Sequence, residues 1–387
     1  MTTIHLPAAG GTQEALTLTP DSLPTSDSSR WNRIAYAAVH VVSNPLADID
    51  PWLDVDVDWD RTLAFREYLW DLGLGVAEAM DTAQRGNGLD WPTSLELIRR
   101  TAAAAKARDG ARLVCGAGTD HLAPSPELTI NAVIAAYEEQ CSAVEAAGAR
   151  IALMASRALA ACASGPDDYV EVYDRILGQT AEPVIVHWLG EMFDPALARY
   201  WGTPNRSEAM DTCIEVLRRN AAKVDGIKVS LLSAELEVAL RDRLPEGVRM
   251  YTGDDFNFPE LIGGDGNRHS DALLGVFDPI AVIAAAALTS LGDGDKHAYD
   301  EILAPTVPLA RHIFRAPTQF YKTGVVFLAY LNGHQDHFTM VGGQESARSV
   351  LHLAEIIRLA NAARLFDDPE RVAARARPVF MARGVEI

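Results

Sequence analysis

The feature that most constrains this chain is a regular alternation that starts at Trp31. Short β-branched or apolar runs are followed, unit after unit, by Ala-, Leu-, Glu- and Arg-rich segments with helical spacing. The runs fall at Ile34–Val42, Gly75–Met80, Arg112–Gly116, Arg150–Ala155, Pro183–His187, Gly226–Val229, Arg249–Thr252 and Leu273–Phe277. Most are almost continuously apolar, as strands buried on both faces must be. The intervening segments predict helices, among them Trp91–Asp109, Pro126–Ala147, Asp167–Gly178, Ser207–Ala222 and Ser233–Arg243. Eight βα units in series predict an α/β fold of the (β/α)8 TIM-barrel type rather than a doubly wound sheet. Beyond the eighth strand, Ile280–Leu291, Lys296–Phe314, Lys322–Leu331 and Glu345–Ala363 also read as helices. One of these closes the barrel and the others form a C-terminal helical extension. Before Trp31, a short strand or hairpin and a Pro/Ser/Asp-rich linker form a short N-terminal extension. The expected division is therefore 1–30, 31–295 and 296–387.

Charge and cysteine usage limit the partners. Thirty-four basic residues against 53 acidic ones give a net charge of −19. That field repels phosphate backbones and anionic lipid, so neither nucleic acid nor a membrane is expected as a partner. Cys115, Cys141, Cys162 and Cys213 form no CxxC and no zinc spacing, and read as reduced thiols of a cytoplasmic protein. No basic-then-apolar leader opens the sequence, and Ile280–Leu291 is too short to span a bilayer. "GAGTDH" at Gly116–His121 lacks the third glycine of a dinucleotide fingerprint, and no P-loop occurs, so no cofactor is expected.

In a barrel of this kind, chemistry sits where the strands end. The chain has only five lysines against twenty-nine arginines, and Lys228 lies inside the apolar strand "DGIKVS". A lysine facing the interior there loses water, its amine pKa falls, and it becomes a nucleophile towards carbonyls. The plain alternative is a lysine that pairs with Asp254 or Asp255. His187 closes the preceding strand, "PVIVHW", and is placed to move protons. Gly253 lets backbone approach a ligand closely, and Asp254 and Asp255 read equally as hydroxyl ligands or as caps of the next helix. Glu78, Asp81 and Thr82 end the second strand with the same balance of readings.

These residues resemble the dihydrodipicolinate synthase/N-acetylneuraminate lyase superfamily, class I aldolases on a (β/α)8 barrel with a C-terminal helical extension. "GIK" at Gly226–Lys228 is similar to the Schiff-base strand of that family. "GDD" at Gly253–Asp255 resembles its glycine–acid segment, and "APTQFYKTGV" at Ala316–Val325 its C-terminal segment. The likeness spans about Ile34–Phe366 and places the chain in a divergent branch. It implies a Schiff-base lyase, aldolase or hydro-lyase with Lys228 as the imine-forming residue, His187 as proton carrier, a small carbonyl substrate and a homo-oligomer. Two positions depart from the family. His187 stands where a proton-relaying tyrosine is usual, and "EAMDTAQRG" replaces a Gly-Thr-Thr-Gly-Glu carboxylate-binding turn. Glu78 and Asp81 there would repel a keto-acid carboxylate unless Arg85 compensates, which points to a neutral polyol or sugar-derived carbonyl.

Two other readings stay open from the sequence. Glu78, Asp81, His187 and Asp254 could ligate a divalent ion, as in a sugar isomerase, epimerase or metal-dependent aldolase, although no HxH or HExxH motif is present. A barrel that binds a carbonyl compound without turning it over is the third reading.

Overall fold

The computed structural model describes residues 2–20 and 25–387. Met1 and residues 21–24, which include part of the expected linker, lie outside the described residues. The chain packs as two compact units, one of residues 33–39 and 75–275, the other of residues 1–32, 40–74 and 276–387.

The second of these opens with the hairpin β1 (Thr2–Pro7) and β2 (Gln13–Leu18), antiparallel from Thr2↔Leu18 to Pro7↔Gln13. Ile4, Leu6 and Leu18 bury its inner face. The C-terminal helices hold the hairpin by backbone groups. Arg358 donates to the carbonyls of Leu6 and Pro7, and Asn361 accepts from the Thr19 N–H while donating to the Thr17 carbonyl. The helix expected over 296–314 is two, Lys296–Leu303 and Thr306–Ile313. Pro305 stands at the break, because it has no N–H to continue the ladder. The last predicted helix begins at Val350, where the Ser349 hydroxyl caps the His352 N–H.

The other unit holds the barrel. Its strands are β3 (Ala35–Ala38), β4 (Gly75–Glu78), β5 (Leu113–Ala117), β6 (Arg150–Leu153), β7 (Val184–Leu189), β8 (Val224–Ser230), β9 (Arg249–Thr252) and β10 (Asp271–Leu274). Each pairs in parallel with the next, and β10 closes on β3, giving eight strands in a closed ring among the described residues. The (β/α)8 expectation is met, with each strand near its predicted place. Several strand ends move by two residues or more, and in two places a hydrogen bond shows why. The first strand stops at Ala38 rather than Val42, because side chains take over the backbone donors: Asp278 accepts from the His40 N–H and Thr62 from the Val42 N–H. The eighth begins at the polar Asp271, whose carboxylate accepts from the Ile34 N–H at 2.7 Å.

Tyr36, Ala38, Ala77, Val114, Ala152, Ile185, Tyr251 and Leu273 fill the interior. Because side chains alternate along a strand, residues two further on from these stand one layer higher, towards the C-terminal mouth. No helix among the described residues is long and apolar enough to cross a membrane.

Candidate active site

Strand β8 sets the site. Its inner face carries Gly226, Lys228 and Ser230 in sequence, and the register places Lys228 between His187 on β7 and Tyr251 on β9. Gly226 is required because the Tyr251 ring lies 2.7 Å from where its Cβ would be. Tyr251 is buried edge-to-face against Tyr36 and donates a 2.6 Å hydrogen bond to Asp225, so an aromatic layer forms the floor under the lysine. Gly253 is required for a second approach. A Cβ there would meet the Ser230 hydroxyl at 2.3 Å, Lys228 Cε at 2.8 Å and the Val229 carbonyl at 2.8 Å. The glycine predicted from sequence thus makes room for the lysine stem itself.

Lys228 is 4% exposed. Burial lowers its pKa from the usual amine value, and the carboxylates of Asp81 and Asp255 pull part of the way back. His187, also buried, lies well below the ordinary imidazole value, first through burial and then through the positive charge of Lys228, with Asp81 opposing. It is therefore a neutral base near pH 7. Its Nε2 stands 3.1 Å from the Ser230 hydroxyl. Ser230 was absent from the sequence prediction, though its place two residues after Lys228 on one strand was a usable signal.

The structure brings together Lys228, His187, Gly253, Asp81 and Asp255, and sorts the other candidates differently. Asp254 and Asp255, adjacent in sequence, diverge. Asp254 accepts from the N–H groups of Phe256 and Asn257 and from the Asn257 amide, so it closes the turn before the helix Phe258–Gly263 and does not cap that helix, whose N-cap is Asn257. Asp255 bears on Lys228. Glu78 is fully buried, and its carboxylate accepts from the Ala79 N–H at 2.9 Å and from Thr101, in the helix Trp91–Lys106, at 2.7 Å. That bond turns it towards the helical layer, away from the lysine. Between Glu78 and Asp81 the chain turns through Ala79 at φ 51°, a left-handed conformation that a non-glycine residue adopts at some cost. Thr82 is buried in the short turn Asp81–Ala83.

Arg85, the residue that could have offset the acids, is committed elsewhere. Nε and Nη2 clamp the Asp120 carboxylate at 3.1 and 2.9 Å, Nη1 donates to the carbonyls of Gly116 and Ala79, and Nη2 also reaches Gln140. Its guanidinium lies 4.9 Å over the Trp91 ring. Arg157, at the end of β6, pairs with Asp194 and the Gly86 carbonyl. Among the described residues no group of three or more His, Cys, Asp or Glu side chains is arranged to hold a metal ion.

Fold and site together define a (β/α)8 barrel with a buried strand lysine beside a neutral histidine. The chain shares its fold with structures of the dihydrodipicolinate synthase family. A putative dihydrodipicolinate synthetase from Pseudomonas aeruginosa aligns with a TM-score of 0.65 at 15% identity, over 86% of this chain and 99% of that one. YagE, a prophage protein of the dihydrodipicolinic acid synthase family from E. coli K12 in complex with pyruvate, gives 0.66 at 13%, over 86% and 99%. The dihydrodipicolinate synthase of Cyanidioschyzon merolae with lysine bound gives 0.63 at 14%, over 87% and 99%. No curated protein matches the sequence. The chain belongs to the family described as "Protein of unknown function (DUF993)", whose profile matches residues 4–385.

Proposed function

We propose that this protein is a lyase or hydro-lyase of the class I aldolase type, in which Lys228 forms an imine with a small carbonyl compound. The observation that carries this reading is an amine in the barrel interior, with Gly253 just past the next strand leaving room for its stem and its pKa lowered by burial. The Lys228 ammonium gives up a proton, its nitrogen adds to the carbonyl carbon, and the carbonyl oxygen leaves as water. Ketone and ammonium thus become iminium and water with charge conserved. In an aldol cleavage the electrons of the adjacent C–C bond then flow to the iminium nitrogen, leaving an enamine. His187 takes the proton of the substrate hydroxyl as an aldehyde departs. Reprotonation of the enamine and hydrolysis return the lysine. Asp81 and Asp255 hold the cationic intermediate by charge, and with Gly253 they form the substrate-facing set.

The metal-dependent alternative receives less support from the geometry, since Glu78 and Asp254, two of its four ligands, are bound to the helix Trp91–Lys106 and to the turn before Phe258. A chelator is expected to leave turnover unchanged. The reading also has the protein working in the cytoplasm as a homo-oligomer, and its four free thiols agree with a reducing compartment. The decisive experiment is borohydride reduction in the presence of ketoacids and ketoses, with the adduct mapped by peptide mass. An adduct on Lys228, and loss of turnover by orders of magnitude in a folded Lys228→Ala variant, are expected. Retained turnover in that variant would remove the mechanism.

A further inference from the structure

We infer that Ser230 relays protons between His187 and the reacting nitrogen and oxygen at Lys228, so that imine formation uses a serine–histidine pair. This rests on the imine reading above and gives a role to a hydroxyl which that reading leaves idle. Ser230 stands two positions after Lys228 on β8, so both side chains leave the strand on its inner face. Backbone hydrogen bonds pin it there. Its carbonyl accepts from the Gly190 N–H at 3.0 Å, and the Val229 carbonyl before it accepts from the Gly253 N–H at 2.8 Å. The point where a Gly253 Cβ would stand shows where the hydroxyl goes. Ser230 Oγ lies 2.3 Å and Lys228 Cε 2.8 Å from that one point, so the hydroxyl and the end of the lysine stem are neighbours. The same Oγ also meets His187 Nε2 at 3.1 Å, its one side-chain hydrogen bond among the described residues. Ser230 and His187 are both buried.

A hydroxyl carries one proton and two lone pairs, so it donates to an imidazole nitrogen while accepting from a second group. His187 pairs with Lys228 in the strand register, yet its Nε2 is turned to Ser230. A proton moving between Nε2 and the lysine therefore passes through Oγ. An ammonium proton goes to Oγ as the Ser230 proton goes to Nε2, leaving a free amine, an intact serine and an imidazolium. The amine electron pair then forms the bond to the carbonyl carbon, and the C=O π electrons move to oxygen. The imidazolium returns its proton to that oxygen by the same route. A second proton follows from nitrogen to oxygen through Oγ, the electrons of its N–H bond form the C=N bond, and the C–O bond breaks to release water. Ketone and ammonium have become iminium and water, with Ser230 and His187 restored. Burial keeps His187 neutral and so ready to receive the first proton.

The test times cyanoborohydride labelling of Lys228 in the full chain near neutral pH, with hydroxyacetone, dihydroxyacetone, pyruvate or 2-oxobutyrate, read as mass increments on the Lys228 peptide. Hydride is raised until the rate no longer depends on it, so that imine formation is the step timed. Ser230→Ala removes one oxygen and adds no atom. It is expected to slow labelling by at least about 30-fold, with the same final extent of labelling and an unchanged circular dichroism spectrum. His187→Gln is expected to slow labelling comparably. Adding Ser230→Ala to His187→Gln should cost less than about threefold more, because two members of one relay are not additive. A serine that only packs against the lysine would cost as much in either background. Labelling of Ser230→Ala within about threefold of the parent, or an equal cost in both backgrounds, would overturn the relay and leave the imine reading standing. No label on Lys228 of the folded parent from any of the four compounds would overturn the imine reading and the relay with it.

Discussion

Lys228 is held by close contacts, and these can be perturbed singly. Gly253→Ala drives a methyl group against Lys228 Cε, the Ser230 hydroxyl and the Val229 carbonyl. The carbonyl belongs to the barrel ladder and cannot move away. The expected result is a stability loss of about 1–3 kcal/mol and at least about a 100-fold fall in imine trapping, read by denaturation and peptide mass. Adjacent acids should separate cleanly. Asp254→Asn replaces the oxygen that accepts from the Asn257 amide by a second donor, weakens that turn by about 1 kcal/mol and leaves the pH profile of trapping in place. Asp255→Asn removes a negative charge that favours the ammonium, so the lysine pKa falls further and the profile moves to lower pH. In the unmodified protein that profile should already plateau below the usual lysine value of 10.5. Equal shifts in both variants would contradict the assignment. Lys228, His187 and Gly253 were legible in the sequence because an amine, an imidazole and a glycine interrupt apolar strands. The different fates of Asp254 and Asp255 were not, since they depend on which way one turn carries each carboxyl.

At the scale of elements, the helix Ala234–Arg241 presses Glu237 into the barrel wall, where Thr252 on β9 and Ser270 each donate to its carboxyl, at 2.9 and 2.7 Å. Burial pushes its pKa up to about 8, with the two hydroxyls pulling the other way. A raised acid means that the folded state binds more protons than the unfolded one between the ordinary value of 4.5 and about 8. Its contribution to stability is therefore present below that window and lost as pH rises through it. Glu237→Gln, neutral throughout, should match the parent near pH 5 and exceed it near pH 9, by on the order of a few kcal/mol. Urea midpoints at the two pH values decide this, and an unchanged difference would refute it. The elements themselves were mostly readable from periodicity. The helix Pro369–Met381 was not among those named, and Pro378 inside it is the kind of residue that interrupts a helical pattern. The strand ends near Ala38 and Asp271 were shifted because side chains, not neighbouring strands, decide where the ladder stops.

For the whole molecule, the histidines set the response to acid. Six of the ten, His187, His269, His312, His334, His337 and His352, have lowered pKa values, and in each case burial is the largest cause. His334 falls to about 4 and His352, stacked on His312 at 4.2 Å, to about 3. Below 6.5 the unfolded chain binds protons that the folded chain refuses, so stability declines as pH falls from there towards the folded values. The melting temperature should drop steadily between pH 6.5 and 5, before most carboxylates titrate. A His334→Phe/His352→Leu double variant should flatten that limb, and an unaltered slope would assign the acid response to other groups.

The sequence by itself determined the architecture and the place of the buried strand lysine. Alternating apolar runs and helical segments have few ways to bury their faces other than a parallel barrel, and a lone lysine in such a strand has few places to point but inward or to a paired acid. Only the tertiary structure decided which polar groups serve that lysine. Glu78, Asp254 and Arg85 stand as near to the strand ends in sequence as Asp81 and Asp255 do, yet hydrogen bonds to Thr101, Phe256 and Asp120 take them out of its surroundings. A buried polar group goes to whatever partner satisfies it, and for Glu78 and Arg85 those partners lie on other elements tens of residues away, while for Asp254 they lie in a turn whose shape the tertiary structure sets.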